Sequence, residues 1–243
     1  MSGSPSFQAA SLWAPGPAAP RLLKHEVHIW RVPLDTAEGV VQRYAKVLGP
    51  GERGRAEGCP LDQQRAHFVV AHGAVRAVLA KYTGQAAADI RLTCSPRGRP
   101  FLADQPRGRD EIDFNLTHSG GLALIALARA GRVGVDLEKI RSDIDHASMA
   151  KRFLGPGEDA LIESLPEPAG RRAFYTRWTR REAYAKAADI PIPRVLDDTD
   201  SVRLPVSVGR WKLHDLPVGQ DYCATVATDG PRTSMRCWTL EQK

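Results

Sequence analysis

Much of what would assign this chain to a class at sight is missing. Its four cysteines, Cys59, Cys94, Cys223 and Cys237, are scattered and include no C-x-x-C pair. That excludes a zinc ribbon and a disulfide framework, and predicts reduced thiols in a cytoplasmic protein. No apolar run approaches the roughly 20 residues that span a bilayer. No basic patch leads into such a run, so no secretory leader and no membrane partner are expected. Lysine is scarce: of 34 basic residues, 26 are Arg and 8 are Lys. Aromatic residues make up 7%, and none interleave with basic residues as a nucleic-acid-tracking surface requires. What is present is the composition of a globular protein, 42% hydrophobic and 26% charged, which excludes a disordered or low-complexity chain. The net charge of +6 suits an anionic partner without specifying it.

Residues 1–23 are rich in Pro, Ala, Ser and Gly and are expected to form a flexible tail. Val27, Ile29 and Val32 mark a strand. Phe68, Ala71, Val75, Val78 and Leu79 recur at helical spacing within 61–82, and Gly84 supplies a stop. Strands are predicted at 90–92, 114–116, 122–128, 133–137, 201–208 and 221–227, with a second long helix over 171–188.

An internal repeat runs at an offset of 106. Leu48-Gly49-Pro50-Gly51-Glu52 returns as Leu154-Gly155-Pro156-Gly157-Glu158, Arg65 meets Arg171, and Phe68 meets Phe174. The expected fold is therefore α/β (α+β): two similar halves, 24–130 and 131–243, related by a pseudo-two-fold, with the active site in the cleft between them. The repeat also isolates what differs. Trp30 aligns with Asp136, and Arg76 aligns with Glu182, so fold symmetry does not account for these two carboxylates.

In Gly134-Val135-Asp136-Leu137-Glu138, residues two apart share a strand face, so Asp136 and Glu138 present carboxylates together. On the second long helix Trp178, Glu182 and Lys186 lie in line at spacing four. Asp136, Glu138 and Glu182 form a set of hard oxygen ligands suited to Mg²⁺, or Mn²⁺, rather than zinc. Thr117-His118-Ser119-Gly120-Gly121 lacks the G-x-S-x-G nucleophile elbow. Its glycines instead let a phosphate approach the backbone. Arg97-Gly98-Arg99-Pro100 is a basic turn able to grip phosphate.

The ordered set Gly-Arg-Pro at 98–100, Asn-Leu-Thr-His-Ser-Gly-Gly at 115–121, Gly-Val-Asp-Leu-Glu-Lys at 134–139, Arg-Phe-Leu-Gly-Pro-Gly-Glu at 152–158 and Trp-Thr-Arg-Arg-Glu-Ala-Tyr-Ala-Lys at 178–186 resembles the Sfp-type 4′-phosphopantetheinyl transferases. The resemblance implies coenzyme A as substrate, bound between two halves of a monomer. It implies Mg²⁺-dependent transfer of the phosphopantetheine arm to a serine of an apo acyl or peptidyl carrier protein, with release of adenosine 3′,5′-bisphosphate. Such carriers serve fatty-acid, polyketide or nonribosomal peptide synthases. By the same resemblance Asp136, Glu138 and Glu182 hold the metal, and Lys186 contacts the pyrophosphate. Thr117, His118, Arg99 and Arg55 touch coenzyme A phosphates, and Glu158 takes part in deprotonating the serine, with Glu182 the other candidate base. Arg181 and Arg99 stand where the family usually carries Lys. A metal-dependent nuclease leaves the His-Ser-Gly-Gly and Gly-Arg-Pro motifs unexplained. A non-catalytic coenzyme A or carrier binder does not need the intact acidic set.

Overall fold

The computed structural model describes residues 12–105, 111–154, 157–197, 207–230 and 234–242. The chain divides into two compact units, one ending at Gly131 and taking up the chain again at Arg232, the other spanning Arg132–Pro231.

The first unit opens with β1 (Ala14–Pro15) and β2 (Glu26–Pro33), followed by α1 (Glu38–Val47), α2 (Pro50–Glu57) and α3 (Asp62–Thr83). A hairpin of β3 (Leu92–Cys94) and β4 (Pro100–Leu102) leads to β5 (Ile112–Ser119) and β6 (Leu122–Arg129). Helix α3 ends where Gly84 adopts the left-handed conformation, φ 73°, which a residue without Cβ enters freely. Strands β2 and β5 are antiparallel to β6 on its two sides. Val70, Ala74, Val75, Val78 and Leu79 of α3 are buried with Trp30, Val32, Phe114, Ile125 and Leu127 of the sheet. The 3.6-residue periodicity of the helix and the period-two alternation of the strands thus meet in one core.

The second unit repeats this order: β7 (Val133–Lys139), α4 (His146–Phe153), α5 (Glu158–Ser164), α6 (Ala169–Ala188), the short α7 (Ile192–Asp197), β8 (Ser207–Val208), β9 (Trp211–Asp215) and β10 (Tyr222–Asp229). Strand β10 lies antiparallel between β7 and β9, as β6 lies between β2 and β5. The offset of 106 carries β2 onto β7, α1 onto α4, α2 onto α5 and α3 onto α6. The repeat read from sequence is a repeat of elements. Within it, Gly155 and Pro156 lie outside the described residues, as do residues 201–206 of the strand expected at 201–208.

Two sequence-based boundaries need correction. The second half was expected to run from 131 to the end, but β11 (Ser234–Thr239) pairs parallel with β2 and belongs to the first unit. The reason is its ladder, from Ser234 opposite Glu26 to Thr239 opposite Arg31. Residues 1–23 were expected to form a flexible tail, but the described part, 12–23, is structured. Ala14 and Pro15 pair with Trp238 and Thr239, Leu22 is buried, and the Arg31 guanidinium lies 5.0 Å from the Trp13 ring centre. Among the described residues, no helix is long and apolar enough to cross a membrane, and all four thiols are free.

Candidate active site

Each unit carries its own part of the chemistry. In the second unit α6 lies against β7 with no side chain between them at Gly134. A Cβ there would sit 2.2 Å from the Ala183 carbonyl oxygen and 2.4 Å from the Ala187 nitrogen. This close approach brings the helix residues Glu182 and Lys186 to the strand residues Asp136 and Glu138. Lys186 Nζ donates to Asp136 Oδ1 at 2.6 Å, and Asp136 is only 2% exposed. Burial raises the Glu182 carboxyl, Lys186 opposes this, and Asp136 and Glu138 raise it further. The three carboxylates predicted to act together therefore share one electrostatic environment, with an ammonium among them. Their donor chemistry, three carboxylates without sulfur, fits a hard divalent cation. Among the described residues no three such side chains are already gathered at metal-holding distance.

Polar contacts set α6 in place just before Glu182. Arg180 chelates Asp215 through two nitrogens, at 2.9 and 2.5 Å. The Thr225 hydroxyl reaches Asp215 Oδ1 at 3.1 Å, and Thr179 Oγ1 lies 3.1 Å from Thr225 Oγ1. Thr179 Oγ1 also donates to the Thr176 carbonyl at 3.1 Å, so each hydroxyl has an oxygen acceptor for its one proton. Both threonines are fully buried, and Thr225 stands opposite Asp136 in the β7–β10 ladder. Trp178 packs edge-on against Phe153, with ring centres 5.3 Å apart.

Glu158, at the start of α5, is not a free carboxylate. Arg177 Nε pairs with its Oε1 at 3.2 Å, and Arg181 Nη2 contacts its Oε2. Arg181, which stands where the family usually carries Lys, is 3% exposed and directed to Glu158.

The first unit holds a cavity of about 560 Å³. Its wall includes Gly49-Pro50-Gly51 at the start of α2, together with Arg55, His72, Gly98, Pro100 and His118. The Arg55 guanidinium sits 5.5 Å from the Phe68 ring centre, and Phe68 stacks on His72 at 4.0 Å. Two of the predicted phosphate contacts, Arg55 and His118, thus line one cavity. The other two do not. Thr117 is buried on the opposite face of β5 from His118, as strand alternation requires. Arg99 is 8% exposed and paired with Asp113 at 2.6 Å, while also donating to the Phe114 carbonyl.

Sequence reasoning missed His72 and the buried pair of Glu52 and Arg76. Arg76 Nε donates to Glu52 Oε2 at 2.7 Å, and the Gly49 N–H donates to the same oxygen at 2.7 Å. Burial works to raise the Glu52 carboxyl. The contacts from His72, Gly49 and Arg76 outweigh it and bring the pKa to about 2. The signal for His72 was its spacing of four from Phe68 on α3.

Comparison with known proteins places these features in context. The model of the 4′-phosphopantetheinyl transferase superfamily matches residues 132–239. The 4′-phosphopantetheinyl transferase HetI of Nostoc sp. is 34% identical over 232 residues, covering 93% of this chain and 97% of that protein. The 4′-phosphopantetheinyl transferase AcpT of Salmonella typhi is 38% identical over 121 residues, 49% of this chain and 60% of that protein. The 4′-phosphopantetheinyl transferase Sfp of Bacillus subtilis is 24% identical over 163 residues, 67% of this chain and 69% of that protein.

Proposed function

Because this chain belongs to the 4′-phosphopantetheinyl transferase superfamily and is an enzyme of that class, we propose that its donor is coenzyme A and its acceptor a serine of an apo acyl or peptidyl carrier protein. The observation that carries this reading is the Lys186–Asp136 contact that ties α6 to β7, with Asp136, Glu138 and Lys186 near enough to Glu182 to act on its charge.

A diphosphate donor brings concentrated negative charge, and breaking its bond develops more on the leaving bisphosphate. Asp136, Glu138 and Glu182 would hold Mg²⁺, which when bound offsets that charge and orients the phosphates. Lys186 supplies a positive group from the same helix turn as Glu182, available to the phosphate oxygens when its contact with Asp136 is exchanged. Arg55 and His118, on the wall of the cavity in the first unit, receive phosphate of the nucleotide part. Fixing the donor in one pose removes much of the entropic barrier to attack by the serine. The serine proton has to leave for a carboxylate or a water. Glu158 is poorly placed for this, with each oxygen engaged by a guanidinium. The basic balance of +6 favours encounter with an acidic carrier, and that encounter weakens with salt. We place the reaction in the cytoplasm, where free thiols persist.

The test is to incubate the protein with apo carrier proteins of fatty-acid, polyketide and nonribosomal peptide type, coenzyme A and Mg²⁺, and to weigh the carriers by mass spectrometry. Gain of the phosphopantetheine mass on at least one carrier is expected. No gain on any of them would overturn the reading.

A further inference from the structure

Glu158 has a twin. At the offset of 106 it corresponds to Glu52, and each begins or nearly begins a short helix that precedes the long helix of its unit. In the first unit Glu52 is 6% exposed and tied to Arg76 of α3 at 2.7 Å. In the second unit Glu158 is tied to Arg177 and Arg181 of α6, the counterpart of α3. The first unit has no acidic cluster for a serine-activating carboxylate to serve: Trp30, Val32 and Arg76 occupy the positions of Asp136, Glu138 and Glu182. The clamp there is architectural. A glutamate that both halves use to fasten a short helix to a long one owes its place to the fold, unlike the carboxylates present in one half alone.

We infer that Glu158 is a positioning residue, a clamp that neutralises Arg181 and fixes the turn of α6 carrying Glu182, and not the proton acceptor for the serine. This rests on the transferase reading above. The physical argument runs through Arg181. Its side chain is 2% exposed, so without Glu158 it becomes a buried cation without a counter-ion. It directly precedes Glu182 in the chain, and a buried cation draws in the nearest available carboxylate. Arg177 is more exposed, 23%, and can turn to water. Loss of Glu158 therefore damages the site by leaving Arg181 uncompensated, and removing both charges together repairs it. A proton acceptor cannot be repaired in that way.

The experiment compares Glu158→Gln, Arg181→Gln and the double variant with wild type, following transfer to a carrier on which the wild type is active. Melting curves report whether each chain is folded. A clamp predicts that Arg181→Gln, which leaves Glu158 paired with Arg177, loses less kcat/KM than Glu158→Gln. It also predicts that the double variant recovers at least about tenfold over Glu158→Gln although no carboxylate remains at 158. If a folded Arg181→Gln loses more kcat/KM than a folded Glu158→Gln, the inference is overturned. A folded double variant as inactive as Glu158→Gln overturns it as well. Should the double variant fail to fold, the pH profile of folded Glu158→Gln decides: a clamp leaves the ascending limb of kcat/KM in place at lower turnover, and loss of that limb overturns the inference. Wild-type inactivity on every carrier is a different result, and it would count against the transferase reading itself.

Discussion

Substituting Gly134 by Ala probes the contact that assembles the acidic site. The added Cβ would meet backbone atoms of α6, at 2.2 Å from the Ala183 oxygen, 2.4 Å from the Ala187 nitrogen and 2.9 Å from the Ala187 Cα. Backbone cannot rotate away as a side chain can, so the helix has to withdraw by roughly 1 Å to reach ordinary contact distances. Overpacking of this kind costs about 1–3 kcal/mol. For a chain of this size each kcal/mol moves Tm by about 2–4 °C, so a fall of about 2–12 °C is expected. The effect on transfer should be larger. Glu182 and Lys186 ride on α6 while Asp136 and Glu138 stay on β7, and a misplacement of about 1 Å at a reacting centre costs on the order of 100-fold. Calorimetry and steady-state transfer kinetics on the same preparation measure both. Gly54→Ala, in the middle of α2 with nothing within 4 Å of its Cβ position, is the control and should gain up to about 1 kcal/mol. A Gly134→Ala protein with the wild-type Tm and wild-type turnover would refute the close-packing argument.

Three further outcomes follow from particular contacts. Asp136→Asn and Glu182→Gln should each lower transfer on the order of 100-fold, as removal of one charged group at a site of developing charge does; wild-type rates in both would remove the acidic site from the reaction. His28, 1% exposed, has its pKa lowered to about 4 by burial, with Glu26 opposing. Its ring is held neutral: Trp30 Nε1 donates to the Tyr82 oxygen at 2.9 Å, and that hydroxyl lies 2.8 Å from His28 Nδ1. The unfolded chain binds this proton first, so the stability His28 contributes is full above pH 6.5 and is lost as pH falls toward about 4, by about 3 kcal/mol. Urea unfolding at pH 7 and pH 4.5 checks this, and a His28→Gln protein should show a smaller difference. Deleting residues 1–20 removes the β1–β11 ladder and the contact of Trp13 with Arg31, and should lower stability by about 1–2 kcal/mol; an unchanged Tm would return that segment to the status of a tail.

Legibility followed the range of the signal. The long helices and the repeat were readable because periodicity and spacing are local or self-similar, and Asp136, Glu138, Glu182 and Lys186 came with strand and helix periods that fix their faces. The partners of charged residues were not readable. Arg99 and Arg181 looked alike as basic residues in motifs, yet Asp113 and Glu158 neutralise them inside the protein. Nothing in a turn motif reports a carboxylate 14 or 23 residues away. The tail was misread because its Pro and Ala content outweighed Trp13 and Leu22 in a compositional reading. The return of β11 was missed because its pattern does not say which strand it joins. The short helices α1, α2, α4 and α5 offered too few turns for a period to stand out.

That return of β11 has a consequence for how the chain is made. It lies between β1 and β2 in the five-stranded sheet, so a central strand of the first unit leaves the ribosome after every other described strand of both units. Residues 132–231 are contiguous and complete their own sheet earlier. The second unit can therefore close during synthesis, while the first, begun before it, waits with one edge of β2 unpaired. That exposed edge is where a nascent or C-terminally nicked chain would recruit a strand from a neighbour.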